Sequence, residues 1–253
     1  MERWIEHLVE PRRLILEWRP PPHVAHRSRW AVGDLRRNED GAEFRYFEAQ
    51  DLPTLNNGRT PEALREAGFV GYPAFPWDPR RPSGVFRERA LEPFLRRLPS
   101  PRRSDFAAYL ARFFLRPGAP MPAFALLATT GASLPNDGFS LVDPLDGEAT
   151  LQDVVLEVNG ARYYWPYLSV PPAVGSRVSL VPEPTMPHDP FAVRVEVEGA
   201  LIGYVSRLQS AAVSRWIARG VAEAWLVRVN GTAAEPRVHI LAQVRDRAQR
   251  PVA

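Results

Sequence analysis

Arginine is the residue through which this sequence could do most of its chemistry. All 32 basic residues among the 253 are arginine, set against 29 acidic ones, and the formal net charge is +3. The pI near 9.6 follows from that choice of base. A guanidinium is planar, grips a phosphate through two parallel donors and stacks on a nucleobase. A balance this mild does not by itself identify a nucleic-acid binder. Other reactive side chains narrow the field. Cysteine is absent, which removes disulfides, thiol nucleophiles and thiolate metal sites. His7, His23, His26, His188 and His239 include no His-x-x-x-His pair, so no metal is expected. No Gly-rich phosphate loop, catalytic-loop signature or nucleophile elbow is present. The reading is a binding protein without catalytic residues or cofactors. Pro187-His188-Asp189-Pro190 suits a tight turn in which Asp189 caps backbone amides, a role that can coexist with ligand binding.

The elements that must position such residues fall into two styles. Residues 13–19, 29–35 and 43–47 alternate as strands of a small antiparallel meander, with the turn Asn38-Glu-Asp-Gly41 between the last two. Residues 51–103 are rich in Pro, Gly and Arg, with short helical pieces at 61–67 and 88–97. Leu52, Leu55, Phe69, Tyr72, Phe75 and Trp77 anchor this stretch to a core. Phe106, Tyr109, Leu110, Phe113 and Phe114 share one helical face, which predicts a helix from Ser104 or Asp105 to Leu115. A second helix is expected at 122–130, followed by turns at 134–138 and 142–147. From there the pattern is one of strands: 153–158, 161–168, 177–182, 192–198, 200–205, 224–230 and 237–244. One helix, 207–219, interrupts them, with Leu208, Ala212, Val213, Trp216 and Ile217 on its apolar face and Gly220 as C-cap candidate. Many short strands with one helix suit a small closed barrel, because closure removes exposed edges.

Three pieces of this second region resemble the HIRAN domain family in order and spacing. They are Gly160-Ala-Arg-Tyr-Tyr164, the run from Val178 to Val195 containing Glu183-Pro-Thr-Met-Pro-His-Asp189, and Gly199-Ala-Leu-Ile-Gly-Tyr-Val-Ser-Arg207. The resemblance covers about 152–245. Residues 13–115 resemble, more weakly, the amino-terminal region of HipA-type proteins, without their kinase portion. Together these give an α+β fold: a HipA-N-like mixed domain with a small antiparallel sheet at 1–148, an OB-like β-barrel with one main helix at 149–247, and a tail at 248–253.

The HIRAN resemblance implies recognition of the free 3′ end of single-stranded DNA. Single strands are held by bases stacked on flat side chains and by cations on phosphates. At the matching positions Tyr163 is a stacking aromatic and His188 a second one. Asp189 accepts from the terminal 3′-hydroxyl, and its charge repels an internal phosphodiester. Arg162 and Arg207 pair with phosphates, with Tyr204 beside them. The sequence departs from the family at Met186, which stands where the family has Asn and cannot supply an amide. Residues 151–200 carry 3 arginines against 6 acids, and residues 201–253 carry 8 against 3. Binding should therefore be modest and salt-sensitive. The alternative is a protein-interaction module of a toxin–antitoxin or defence system without DNA binding. In either case the 1–148 region offers a surface for a protein partner. With no long apolar run and no secretory leader, no membrane span is expected and the cytoplasm is the expected location.

Overall fold

The computed structural model describes residues 3–245 apart from 22, 25–27, 40, 79–83, 119, 120, 135, 136, 148, 188, 221 and 233. Contacts divide the chain into two units that are not successive halves of it. One comprises residues 10–106 and 120–144; the other comprises residues 1–9, 107–119 and 145–253.

The first unit is built on a four-stranded antiparallel sheet ordered β3-β2-β1-β4, from β1 (Arg13–Trp18), β2 (Trp30–Asn38), β3 (Gly41–Tyr46) and β4 (Phe139–Val142). Phe44 and Tyr46 point from β3 into an aromatic core. Phe44 stacks on Phe75 at 4.7 Å. The Tyr46 hydroxyl donates to the Phe75 carbonyl at 2.7 Å and accepts from the Tyr72 amide at 2.7 Å. Short helices α1 (Leu52–Leu55), α2 (Pro61–Glu66) and α3 (Glu92–Leu95) punctuate the Pro-rich stretch, and α5 (Ala123–Thr130) leads towards β4. The meander, the anchors and the 122–130 helix match the sequence reading. β4 was not foreseen, because four residues framed by two turn motifs carry too little pattern.

The second unit holds a six-stranded antiparallel sheet ordered β5-β10-β9-β6-β7-β8. Its strands are β5 (Leu151–Glu157), β6 (Arg177–Pro182), β7 (Val193–Val197), β8 (Ala200–Tyr204), β9 (Ala222–Gly231) and β10 (Pro236–Arg245). The edge strands β5 and β8 are joined by a bridge between Asn159 and Tyr204. Asn159 N donates to the Tyr204 carbonyl at 2.7 Å, and Tyr204 N to the Asn159 carbonyl at 2.9 Å. The sheet thus closes on itself, and its end strands are not left as free edges there. Alternation fills the interior: Val193, Val195 and Val197 of β7 are all buried, with Ile202, Leu226, Val238 and Ile240 from neighbouring strands. Helix α6 (Arg207–Ala218) buries Ala212, Val213 and Trp216 against this core. Gly220, with φ 65, turns the chain after it.

Two elements differ from expectation. Residues 161–168 form two 3-10 turns, Ala161–Tyr163 and Trp165–Tyr167, rather than a strand. Gly160 adopts φ +76, which breaks the extended run, and Pro166 has no N–H for a ladder. Helix α4 (Phe106–Ala111) stops before Leu115 because Phe114 takes φ 60 and the Leu115 amide closes on the Leu110 carbonyl at 3.1 Å. The segment 3–9 joins the second unit through Asp153, whose buried carboxylate accepts from the amides of Glu6 (2.7 Å) and His7 (3.0 Å) and from Arg245 (2.5 Å).

His239 of β10 lies between Glu157 of β5 and Arg228 of β9. Burial first, and the Arg228 charge second, push its pKa down from 6.5 to about 4. The unfolded chain takes up this proton near 6.5 while the folded chain resists it until about 4. Stability from a neutral His239 is therefore complete above about pH 7 and lost as pH falls from 6.5 towards 4. Between pH 7 and 4.5 the loss should be about 2 kcal/mol. Urea unfolding of wild type and His239→Gln at both pH values checks this: on acidification wild type should lose that amount of stability relative to the variant, and a constant difference would refute it.

Candidate functional site

Arg162 and Tyr163 sit on the first 3-10 turn after the Asn159 bridge. The Arg162 guanidinium lies over the Tyr163 ring, 4.6 Å from its centroid, and Nη2 donates to the phenol oxygen at 2.5 Å. Tyr163 is nevertheless 60% exposed. A flat face and a cation are therefore presented together at the surface, the two groups that single strands need. The next residue, Tyr164, is half-buried, with its ring 6.1 Å from that of Tyr204.

Tyr204 ends β8 and does two jobs. Its backbone bridges to Asn159, and its hydroxyl donates to Glu183 Oε2 at 3.0 Å. Burial, then the Glu183 acceptor, pushes the phenol's pKa well up, so Tyr204 stays a neutral donor. Glu183 also lies 3.7 Å from Arg194. Glu183 N donates to the Ala192 carbonyl at 2.8 Å, which closes the neck of the loop 183–192.

Asp189 stands on that loop. Its Oδ1 accepts from the Phe191 amide at 2.9 Å, the capping role read from the turn motif. Its Oδ2 accepts from the Ser210 hydroxyl at 2.8 Å, which ties the loop to the first turn of α6. Each oxygen still has a free lone pair for a further donor. The Ser210 hydroxyl is also 3.0 Å from the carbonyl of Arg207, the first residue of α6. Arg207 Nη1 is shielded from water and has no hydrogen-bond partner among the described residues. A buried guanidinium N–H without an acceptor is costly. Met186 is half-buried at the start of the turn, its amide bonded to the Glu183 carbonyl at 3.1 Å.

Five of the six residues singled out from sequence are thus joined by a chain of contacts. Arg162 and Tyr163 precede Tyr164, whose ring neighbours that of Tyr204; Tyr204 holds Glu183 at the loop neck; the loop carries Asp189; and Ser210 links Asp189 to Arg207. The sixth, His188, lies outside the described residues. Glu183 and Ser210 were missed as functional residues. Glu183 was visible inside the motif, but its partner is 21 residues away. Ser210 carries no sequence signal at all. Trp216 is core, 3% exposed. Among the described residues no group of three or more metal-binding side chains gathers, and no helix is long and apolar enough to cross a membrane.

Comparison with known proteins places a HIRAN domain at residues 151–245, where the model of that family matches. Among solved structures, the chain is similar to one described as the crystal structure of the HIRAN domain of human HLTF. That likeness has 19% identity, covers 39% of this chain and 81% of the other, and has a TM-score of 0.32. A protein from Lactobacillus plantarum is similar at 19% identity over 38% of this chain and 96% of the other, with a TM-score of 0.30. No curated protein matches the chain.

Proposed function

We propose that residues 151–245 bind nucleic acid, and that their ligand is the free 3′ end of single-stranded DNA held on an OB-like barrel. The observation that carries this reading, together with the family match, is the exposed Arg162–Tyr163 stack. A base takes the tyrosine face, and the following phosphates take the guanidinium groups of Arg162 and Arg207. Asp189 accepts from the terminal hydroxyl and repels a phosphate at the same place. The first unit, resembling the HipA amino-terminal region, supplies a further contact to DNA or protein. Such a protein belongs in repair, fork handling or defence rather than in catalysis.

Fluorescence anisotropy with a short strand ending in a 3′-hydroxyl or a 3′-phosphate tests the reading. Wild type should prefer the hydroxyl. Asp189→Ala should weaken that oligonucleotide by about 10- to 100-fold, the worth of a charged hydrogen bond, and should erase the preference. Asp189→Asn, which keeps the acceptor for the Phe191 amide, should erase the preference with a smaller loss. Binding that ignores the 3′ group would leave only a general electrostatic contact. A second reading, a protein-binding module, is favoured by the exposed Tyr167 (83%), Val170 (81%) and Val174 (62%) before β6. Failure to bind either oligonucleotide would select it.

A further inference from the structure

We infer that Phe191 is a base-stacking platform beside the strand end, through which the loop 183–192 holds a nucleobase by its face without reading which base it is. This rests on the proposed binding of single strands by the domain. Phe191 is 52% exposed, although Ala192 and Val193 immediately after it are buried. Its backbone is held from several sides. Its amide donates to Asp189 Oδ1 at 2.9 Å. The Ala192 amide donates to the Asp189 carbonyl at 3.0 Å, and the Ala192 carbonyl accepts from Glu183. Pro190 fixes the dihedral before it. A ring on so constrained a backbone meets a ligand with little ordering cost.

The loop's polar side chains are already committed. Glu183 serves Tyr204 and Arg194. Asp189 serves the Phe191 amide and Ser210. Met186 and the three prolines offer no side-chain donor. Among the described residues of the loop, Thr185 keeps a polar group to spare, and the remaining Asp189 lone pairs go to the terminal hydroxyl of the strand. Reading a base edge needs donors and acceptors in register, whereas a phenyl face needs only a π-surface, which every base has. The charges at the Phe191 position also select the occupant. An apolar protein side chain settling on the ring would bring desolvated surface against Asp189. A nucleotide places its base on the ring and its own hydroxyl and phosphates against Asp189 and Arg207.

The test uses four single strands with free 3′-hydroxyls that differ only in the terminal base. Wild type should bind all four within about threefold. Phe191→Ala should weaken all four by about 5- to 100-fold, the range of one stacked base, while the preference for 3′-hydroxyl over 3′-phosphate survives because Asp189 is intact. Phe191→Trp should bind within threefold of wild type, and Phe191→Leu should lose the quenching of 2-aminopurine placed at the strand end. Melting temperatures should not change, since the ring is half-exposed. Phe191→Ala binding as tightly as wild type, with the 3′ preference kept, would overturn the platform and leave end recognition standing. A wild-type preference above tenfold for one terminal base would overturn face-only recognition. Absence of wild-type binding to any strand would overturn end recognition and the platform with it.

Discussion

Gly203→Ala is expected to destabilise the second unit by about 3–5 kcal/mol, combining overpacking with left-handed backbone strain, and to abolish the proposed DNA binding with it. Gly203 lies in β8 with φ +143, and a Cβ there would stand 2.5 Å from the Asn159 carbonyl oxygen and 2.6 Å from Val158 Cγ1. Neither neighbour can yield. Val158 is 5% exposed in the core, and the Asn159 carbonyl is the acceptor of the Tyr204 amide. The close approach that seals β5 to β8 exists because residue 203 has no side chain. Prising the seam apart would expose two strand edges and displace Tyr204 from Glu183 and Tyr164. Gly199→Ala is the control: its φ is +80 but nothing lies within 4 Å of a Cβ there, so it should cost only about 1 kcal/mol of backbone strain. Hydrogen exchange should show protection lost in 151–160 and 200–205 for Gly203→Ala alone. Equal behaviour of the two variants would mean that this contact does not close the sheet.

The contrast between these two glycines shows what sequence could and could not convey. Val-Arg-Val-Glu-Val followed by Ala-Leu-Ile-Gly-Tyr reads as a pair of strands from alternation alone, and both β7 and β8 are found within a residue of that reading. The period-2 pattern reports which face a residue turns inward. It does not report that the two ends of the sheet meet at Gly203 and Asn159, because that contact joins residues 44 apart in a closed topology. The same limit applies at the site. Asp189 as a turn cap was legible, since it bonds an amide two residues on. Its second bond, to Ser210, depends on where α6 is laid down. Residues 161–168 misled for a local reason: aromatic content imitates a strand, while Gly160 and Pro166 redirect the backbone.

Arg97→Ala should be the most damaging single change in the first unit, at about 3–4 kcal/mol, because it strips a buried cation from partners that cannot find water easily. The Arg97 side chain is 7% exposed. Its Nη1 and Nη2 meet the two Asp137 oxygens at 2.5 and 3.1 Å. Nε donates to the Ala132 carbonyl at 2.6 Å and Nη2 to the Phe139 carbonyl at 3.0 Å. One guanidinium thereby fastens the chain after α3 to the end of α5, the following turn and the start of β4. This is a task for a rigid fork. Arg97→Lys would keep the charge but reach only part of that set, and should lose about 2 kcal/mol. Denaturant unfolding, with hydrogen exchange in 131–142, measures both variants. A double-mutant cycle with Asp137→Ala should return a coupling of about 2 kcal/mol for the buried pair. Because every base in this chain is arginine, the lysine variant separates two explanations of the residue at 97. Full stability of Arg97→Lys would leave arginine there as a matter of composition, whereas a loss of 2 kcal/mol would tie it to the planar geometry that the same residue type is proposed to offer phosphate at Arg162 and Arg207.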